Sequence, residues 1–472
     1  MKQNSSVIVI GGGATGLFTA LDLSLRGINV TLVERGDIAS GTSGKFHGLL
    51  HSGARYAVND PESAKECKQE NEVLSKIAPE FVRDTGGVFV GITEDDVNYS
   101  QRFLSALNSL GITNKVMDVE ELIRREPFIN KKSKIAIWVP DKVVYGYDLL
   151  ATVALTASLN GAKILTYNEV KRVLREGNSV RRVEVKDNIS GETKILNGDI
   201  IVNTAGPWAF RVIEMAGLGE IPLLPTAGIM VVMKEKLNSM VINRLRPPSD
   251  GDIIVPYGDS SIIGTTATII PDPDNFEISD EDINMLIEEG AYMIPRLKEV
   301  KPERAYASVR PLIKNAEDGR GATRDFMIID HEKVDSLDGL ISVIGGKFTT
   351  SRLAGEKVSD MVSEKLGIRE KSKTATIKLM SELDEKLLEK KRVPKVLVKM
   401  IRERKGSLDE DRYSTAMYIL LSLLARGNNY GDEWEVSCRK IGGKGQGVID
   451  RPKNVLPVLT WNSELRDIWR II

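Results

Sequence analysis

A glycine turn between two short apolar runs constrains this chain more than any other feature. Val7-Ile8-Val9-Ile10 is closed by glycine, the pattern of a strand buried on both faces of a parallel sheet. Gly11-Gly12-Gly13-Ala14-Thr15-Gly16 follows, then apolar residues at helical spacing (Leu17, Ala20, Leu21, Leu25) up to Gly27, which suits the end of a helix. Ile28 to Val33 reads as a second strand. Glu34 ends it, 23 residues after Gly11, near the spacing of about 20 expected of a ribose-binding carboxylate. Each part has a chemical reason. Gly11 permits the tight turn, Gly13 lets a pyrophosphate approach the backbone, and Gly16 lets helix and strand pack closely. The helix start at Ala14 and Thr15 offers unpaired N–H groups to phosphates, and Glu34 can accept from both ribose hydroxyls. A glycine-rich turn with no ligand is the competing reading. The full order of strand, turn, helix, strand and acid favours a dinucleotide site.

Similar units recur far along the chain. Ile200 to Asn203 reads as a buried strand, followed by Thr204-Ala205-Gly206-Pro207-Trp208 at a helix start. Ile341 to Ile344 and Gly345-Gly346-Lys347-Phe348-Thr349-Thr350 form a third strand, glycine turn and helix. Hairpins are predicted over 169–175 with 180–186, and over 252–256 with 261–266. Helices are predicted from Pro61 to about Ala78, near 98–110 and over 148–160. The pattern predicts an α/β fold with a nucleotide-binding sheet assembled from separated pieces (about 1–80, 145–215 and 305–370). An antiparallel cap (about 81–144 and 216–304) is inserted, so that one domain spans 1–370. After about 370 Lys, Glu and Leu dominate at helical spacing, which predicts a helical C-terminal domain over 371–472. Gly442 to Gly447 follows no apolar strand and reads as a flexible loop.

Composition excludes several classes. The 472 residues carry 65 Lys+Arg against 66 Asp+Glu, a net charge of −1, without the basic excess of a nucleic-acid binder. Two cysteines, Cys67 and Cys438, and three histidines cannot build a disulfide framework, a four-cysteine zinc site or an iron–sulfur site, and no metal is expected. No run approaches the roughly 20 apolar residues of a membrane span, and no signal peptide is read at the N-terminus. A cytoplasmic protein, peripheral on the membrane at most, is the expectation.

A set of motifs then points to a family. Gly11–Gly16 with Glu34-Arg35, Gly41-Thr42-Ser43-Gly44-Lys45, and the run His47-Gly48-Leu49-Leu50-His51-Ser52-Gly53-Ala54-Arg55-Tyr56 resemble FAD-dependent glycerol-3-phosphate dehydrogenases. So do Gly206-Pro207-Trp208, Val241-Ile242-Asn243-Arg244, Ile262 to Thr266, Ser308-Val309-Arg310-Pro311, Thr323-Arg324-Asp325 and Gly345-Gly346-Lys347. The run from His47 to Tyr56 is most similar to the large catalytic subunit of the anaerobic type. The resemblance covers about residues 5–370. It implies a D-amino-acid-oxidase-like, FAD-binding Rossmann-like domain with an antiparallel substrate cap. It also implies oxidation of sn-glycerol 3-phosphate to dihydroxyacetone phosphate, with electrons passed to a quinone or to an electron-transfer or membrane-anchor subunit. It leaves room for a homo-oligomer. Two departures stand out. After residue 370 only Cys438 remains, so the iron–sulfur domain common in the anaerobic type cannot be ligated. The Gly-Ser-His found in many aerobic-type members is replaced by Gly228-Ile229-Met230.

The resemblance implies FAD-binding roles for Gly11, Gly13, Ala14, Thr15, Gly16, Glu34, Arg35, Thr42, Ser43, Gly44, His47, Val170, Ala205, Gly206, Trp208, Gly345, Gly346, Lys347, Phe348 and Thr349. A phosphate-bearing substrate carries nearly two negative charges and suits guanidinium forks, which stay charged and bind bidentately. Arg55, Arg310 and Arg324 match the family's substrate arginines, and Tyr56 and Lys347 are read with them. Against each stands a plain surface cation. His51 is the best neutral-pH proton acceptor in the sequence, with Arg310 and Lys347 beside it as catalytic candidates and a satisfied structural histidine as the alternative. His331, at a strand end, reads as structural. Cys67, on a predicted helix, reads as inert. Two other readings stay open: a flavin dehydrogenase or oxidase of another small 2-hydroxy or amino acid, and a non-catalytic flavoprotein scaffold.

Overall fold

The computed structural model describes residues 5–313, 325–377 and 379. Arg324, the loop at Gly442 to Gly447 and nearly all of the expected helical domain lie outside the described residues.

A six-stranded sheet joins pieces far apart in sequence. Its order across the sheet is Phe326–Asp330, Leu340–Gly345, Ile200–Asn203, Ser6–Ile10, Asn29–Val33 and Lys163–Leu165. Neighbours run parallel except the outermost pair, Phe326–Asp330 against Leu340–Gly345. Val7, Val9, Ile201 and Val202 are almost fully buried, as strands covered on both faces must be. On one face lies the helix Ala14–Leu25, with Leu17, Phe18, Leu21 and Leu23 buried. It packs in one core with Gly146–Leu159 and Ser351–Leu366. Each such buried Leu or Phe stabilises the fold by about 1.5–3 kcal/mol. Glu70 on the helix Pro61–Ile77 pairs with Arg352 at 2.6 Å, both side chains buried, and ties that helix to Ser351–Leu366.

The other face is covered by a three-stranded antiparallel sheet, Asn168–Glu176, Ser179–Asp187 and Thr193–Asn197. Val173 and Val183 there share a core with Ile8, Val33 and Ile201. The first two strands are the expected hairpin. The third is largely exposed and has no apolar alternation to announce it, so pairing with 182–186 makes it a strand.

The second large sheet has nine strands, drawn from 87–139 and 223–313. Its longest pair sets Leu223–Met233 antiparallel to Pro302–Ile313, with Thr226 opposite Arg310. That strand carries the antiparallel sheet on to Ile313, past the expected cap boundary at 304. The helix expected near 98–110 starts earlier, at Glu94. Thr93 and Asp96 form a reciprocal capping box there, and three acids in the first turn favour the helix N-terminus.

Candidate functional site

The glycine turns line one edge of the six-stranded sheet. A Cβ on Gly11 would lie 2.6 Å from the Thr204 carbonyl oxygen, and one on Gly16 only 2.0 Å from that of Gly11. The fold itself therefore demands glycine at both positions. A Cβ on Gly13 would meet only Ser43 Oγ, at 3.2 Å. The space left there is at the N-terminus of Ala14–Leu25, which has no side-chain cap and no acid in its first turn. Such an end suits an anion. Nothing lies within 4 Å of the Cβ position of Gly206, and only Phe326 Cβ, at 3.4 Å, near that of Gly346. Open turns thus follow three adjacent strands at their carboxyl ends, where an extended dinucleotide fits.

The expected cofactor residues gather along this edge. Glu34 accepts from the N–H groups of Gly12 and Gly36, both at 2.7 Å, and burial pushes its carboxyl up. Ser43 Oγ accepts from the Ala14 N–H at 2.9 Å, and the Thr42 hydroxyl donates to the Val309 carbonyl. Gly44 closes the single turn Thr42–Gly44. Ala205 N–H donates to Asn203 Oδ1 at 3.2 Å, and Val170 packs with Ile10 and Val33. Arg35 lies 4.3 Å over the Trp208 ring and pairs with Asp274 at 2.8 Å. Trp208 Nε1 and Arg211 also donate to Asp274. Burial would raise Asp274, but the hydrogen bonds from Arg35 and Arg211 outweigh it and bring it down to about 2.

A second group of side chains meets between this edge and the antiparallel sheet. Phe46 stacks on Phe348 at 4.3 Å, and the His51 N–H donates to Thr349 Oγ1 at 3.2 Å. These contacts hold the 46–56 segment against the 345–350 turn. The His51 ring meets Tyr56 edge-on at 5.1 Å, with Nε2 3.4 Å from the phenol oxygen. Lys347 Nζ lies 4.9 Å over the Tyr56 ring. The His47 ring is 6.2 Å from that of His51, and its Nδ1 accepts from the Leu49 N–H at 3.1 Å. Burial, reinforced by Arg310 and Arg55, pushes His47 down to about 3. His47 is therefore neutral, with its proton on Nε2. Arg310 Nη1 donates to the Thr266 carbonyl at 3.0 Å, and Nη2 to the Thr265 hydroxyl. Gly228 makes room for that guanidinium, since a Cβ there would sit 2.3 Å from its nitrogen. Arg55 is held by buried Asp252 at 3.4 Å. Arg55 and Arg310 thus bear on the His47 ring, and Lys347 on the Tyr56 ring.

Residues 6–361 match the family model described as FAD dependent oxidoreductase. The chain belongs to this family. Among FAD-dependent oxidoreductases, it is 42% identical over 382 residues to the A chain of the anaerobic glycerol-3-phosphate dehydrogenase of Escherichia coli, covering 80% of this chain and 70% of the relative. It is 40% identical over 388 residues to the corresponding component of the anaerobic glycerol-3-phosphate dehydrogenase of Haloferax volcanii, covering 79% and 66%. The chain therefore spans about two thirds of these relatives' length. A glycerol-3-phosphate dehydrogenase from Bacillus halodurans, solved with FAD, shares the fold at a TM-score of 0.63 and 23% identity, covering 92% of this chain and 80% of that one. L-proline dehydrogenase from P. horikoshii does so at 0.65 and 23%, covering 77% and 95%. The family's cofactor is FAD, and the open edge described above fits it.

Other expectations meet different outcomes. His331 is buried, held by Asp335 at 2.6 Å and Ser342 at 2.8 Å, which is a structural setting. Cys67 is buried and pushed up to about 12, chiefly by burial, so it stays an inert thiol. Among the described residues no cluster of His, Cys, Asp and Glu could hold a metal. Thr265 and Thr266 lie in the motif Ile262 to Thr266, but nothing local in it marks them as supports for Arg310, and no sequence pattern announces Asp252 or buried Asp141, which accepts from the Ser52 N–H at 2.8 Å and hydroxyl at 2.7 Å. Asp252 and Arg55 are 197 positions apart, and nothing local links them.

Proposed function

We propose that this chain oxidises sn-glycerol 3-phosphate to dihydroxyacetone phosphate. The convergence of Arg55, Arg310 and Lys347 on one small polar site carries the reading. A phosphate monoester brings nearly two negative charges, which several cations match better than they match a single carboxylate. The named relatives support the same substrate.

The residues from Gly11 to Glu34 and the turns at Ala205-Gly206 and Gly345-Gly346 would hold FAD along the glycine edge, and FAD would supply the two-electron acceptor. The protein's own groups bind, orient and move a proton. Arg55 and Arg310 clamp phosphate oxygens, and their backing by Asp252, Thr265 and Thr266 fixes the forks in advance, lowering the ordering cost on binding. Lys347 completes the charge match. Oxidation of the secondary alcohol removes a hydride from carbon and a proton from oxygen. The His51 imidazole receives that proton, and the edge-on contact with the Tyr56 ring orients it.

We further infer that electrons leave through a separate partner protein toward quinone, because the relatives are named as single components of a multi-subunit dehydrogenase. Among the described residues no helix is long and apolar enough to cross a membrane. Turnover with an artificial electron acceptor tests the substrate assignment. Glycerol 3-phosphate should be oxidised, whereas glycerol and 2-hydroxy acids should not. Preference for a hydroxy or amino acid would replace this reading.

A further inference from the structure

The motif Val241-Ile242-Asn243-Arg244 takes no part in the chemistry described so far, and neither does buried Asp141. The two meet. Asp141 follows the strand Ile135–Val139 and precedes Lys142–Val144. The latter pairs with Leu49–Leu50, with Leu50 opposite Lys142, which brings Ser52 to Asp141. Asp141 Oδ1 accepts from the Ser52 N–H and hydroxyl, and Oδ2 accepts from Asn243 Nδ2 at 3.4 Å. All three residues are buried. The Ala54 N–H donates in turn to Ser52 Oγ at 3.4 Å. The carboxylate has little room to move, since a Cβ on Gly87 would lie 2.8 Å from Asp141 Cβ and 2.9 Å from Oδ2. Gly53, next to Ser52, has φ +95°, and a Cβ there would lie 2.2 Å from the Ala64 carbonyl oxygen. The strand Val241–Arg244 also holds a second anchor. The Arg244 N–H donates to the Asp252 carbonyl at 3.0 Å, and Asp252 pairs with Arg55.

We infer that Asp141, oriented by Asn243, is a positioning residue that fixes the turn from His51 to Arg55 through Ser52. Its kinetic consequence rests on the glycerol-phosphate reading above. Ser52 directly follows His51 and stands three residues before Arg55. The proton acceptor and a phosphate clamp therefore share one short segment of backbone. Asp141 holds that segment at Ser52, Asp252 holds it at the Arg55 side chain, and the strand Val241–Arg244 bonds to both acids. A buried carboxylate is costly to desolvate, and what offsets the cost here is a set of hydrogen bonds of fixed direction. Direction is what the reaction needs, because a shift of about 1 Å near the chemistry can cost about 100-fold in rate. Asp141 acts through Ser52 and is not itself a reacting group.

The test compares Asp141→Ala with Asp141→Asn in the purified holoprotein, with rates expressed per bound flavin. Alanine removes both acceptors. Asparagine keeps Oδ1 for Ser52, and Asn243 can turn its amide to meet the new NH2 with its Oδ1, which is buried and without a partner among the described residues. Asp141→Ala should lower kcat/KM for glycerol 3-phosphate about 100-fold, with KM itself raised, and Asp141→Asn should restore most of the loss. A merely structural defect would lower the flavin-loaded fraction and leave KM alone. Hydrogen exchange over 49–57, read by mass spectrometry, should speed up in Asp141→Ala and return toward the wild type in Asp141→Asn. Ser52→Ala removes the hydroxyl bond alone and should raise KM about three- to tenfold; it decides the matter should Asp141→Ala fail to retain flavin. An unchanged KM in Asp141→Ala, or Asp141→Asn as impaired as Asp141→Ala, overturns the inference. The exchange arm needs no substrate. If the wild type does not oxidise glycerol 3-phosphate, the substrate reading falls, while faster exchange at 49–57 still supports the positioning role and unchanged exchange overturns it.

Discussion

Arg310 separates the charge of a residue from its geometry. Its guanidinium is anchored on the Thr266 carbonyl and the Thr265 hydroxyl, which fixes the plane of the fork. Arg310→Lys keeps the charge but gives up both the fork and the anchor. We expect kcat/KM for glycerol 3-phosphate to fall about 10- to 100-fold, mainly through KM, as loss of a charge-assisted hydrogen bond implies. Steady-state kinetics of the variant check this. His47 gives a residue-scale prediction for stability. Its folded value, about 3, lies below its ordinary 6.5. A depressed value means that the fold favours the neutral ring. That contribution is complete above the ordinary value and is lost as pH falls through 6.5 toward 3. Denaturant midpoints measured across that range should fall with acid in the wild type, and the slope should be shallower in His47→Gln.

Among the elements, the glycine turn shows which constraints belong to the fold and which to a ligand. Gly16→Ala would place a Cβ 2.0 Å from the Gly11 carbonyl oxygen and should destabilise the apoprotein by about 1–3 kcal/mol or prevent folding. Gly13→Ala meets only a rotatable serine hydroxyl. The apoprotein should unfold at nearly the wild-type temperature while FAD binding weakens. Thermal unfolding of apoprotein and fluorescence titration with FAD separate the two cases. These elements were legible in sequence because their signals are local: a buried strand, the motif glycines Gly11, Gly13 and Gly16, and an acid lie within residues 7–34. The motifs around His47–Tyr56 and Arg310 could likewise be read from short runs. What holds them could not. Asp252 meets Arg55 only because the fold brings distant segments together. The strand Thr193–Asn197 was hidden for a related reason, since an exposed edge strand needs no apolar alternation.

For the molecule as a whole, the decisive relation is between the dinucleotide sheet and the antiparallel sheet. The segment with Asp272 and Asp274 leaves the antiparallel sheet and reaches Arg35, Trp208 and Arg211 on the other side. These groups are partly exposed, so each ion pair contributes little by itself. Asp274, however, gathers three donors. Asp274→Ala should raise hydrogen exchange and proteolysis at 271–275 with little change in global unfolding. If exchange there is unchanged, the contact does not hold the two sheets together. The central claim concerns what the two sheets enclose: a flavin edge and a cluster of cations built for a phosphate-bearing alcohol. Anaerobic absorbance of the purified protein in the flavin band, before and after addition of sn-glycerol 3-phosphate, tests it most directly. The account predicts a bound flavin that bleaches with this compound and not with glycerol. A bound flavin that glycerol 3-phosphate leaves oxidised would contradict it.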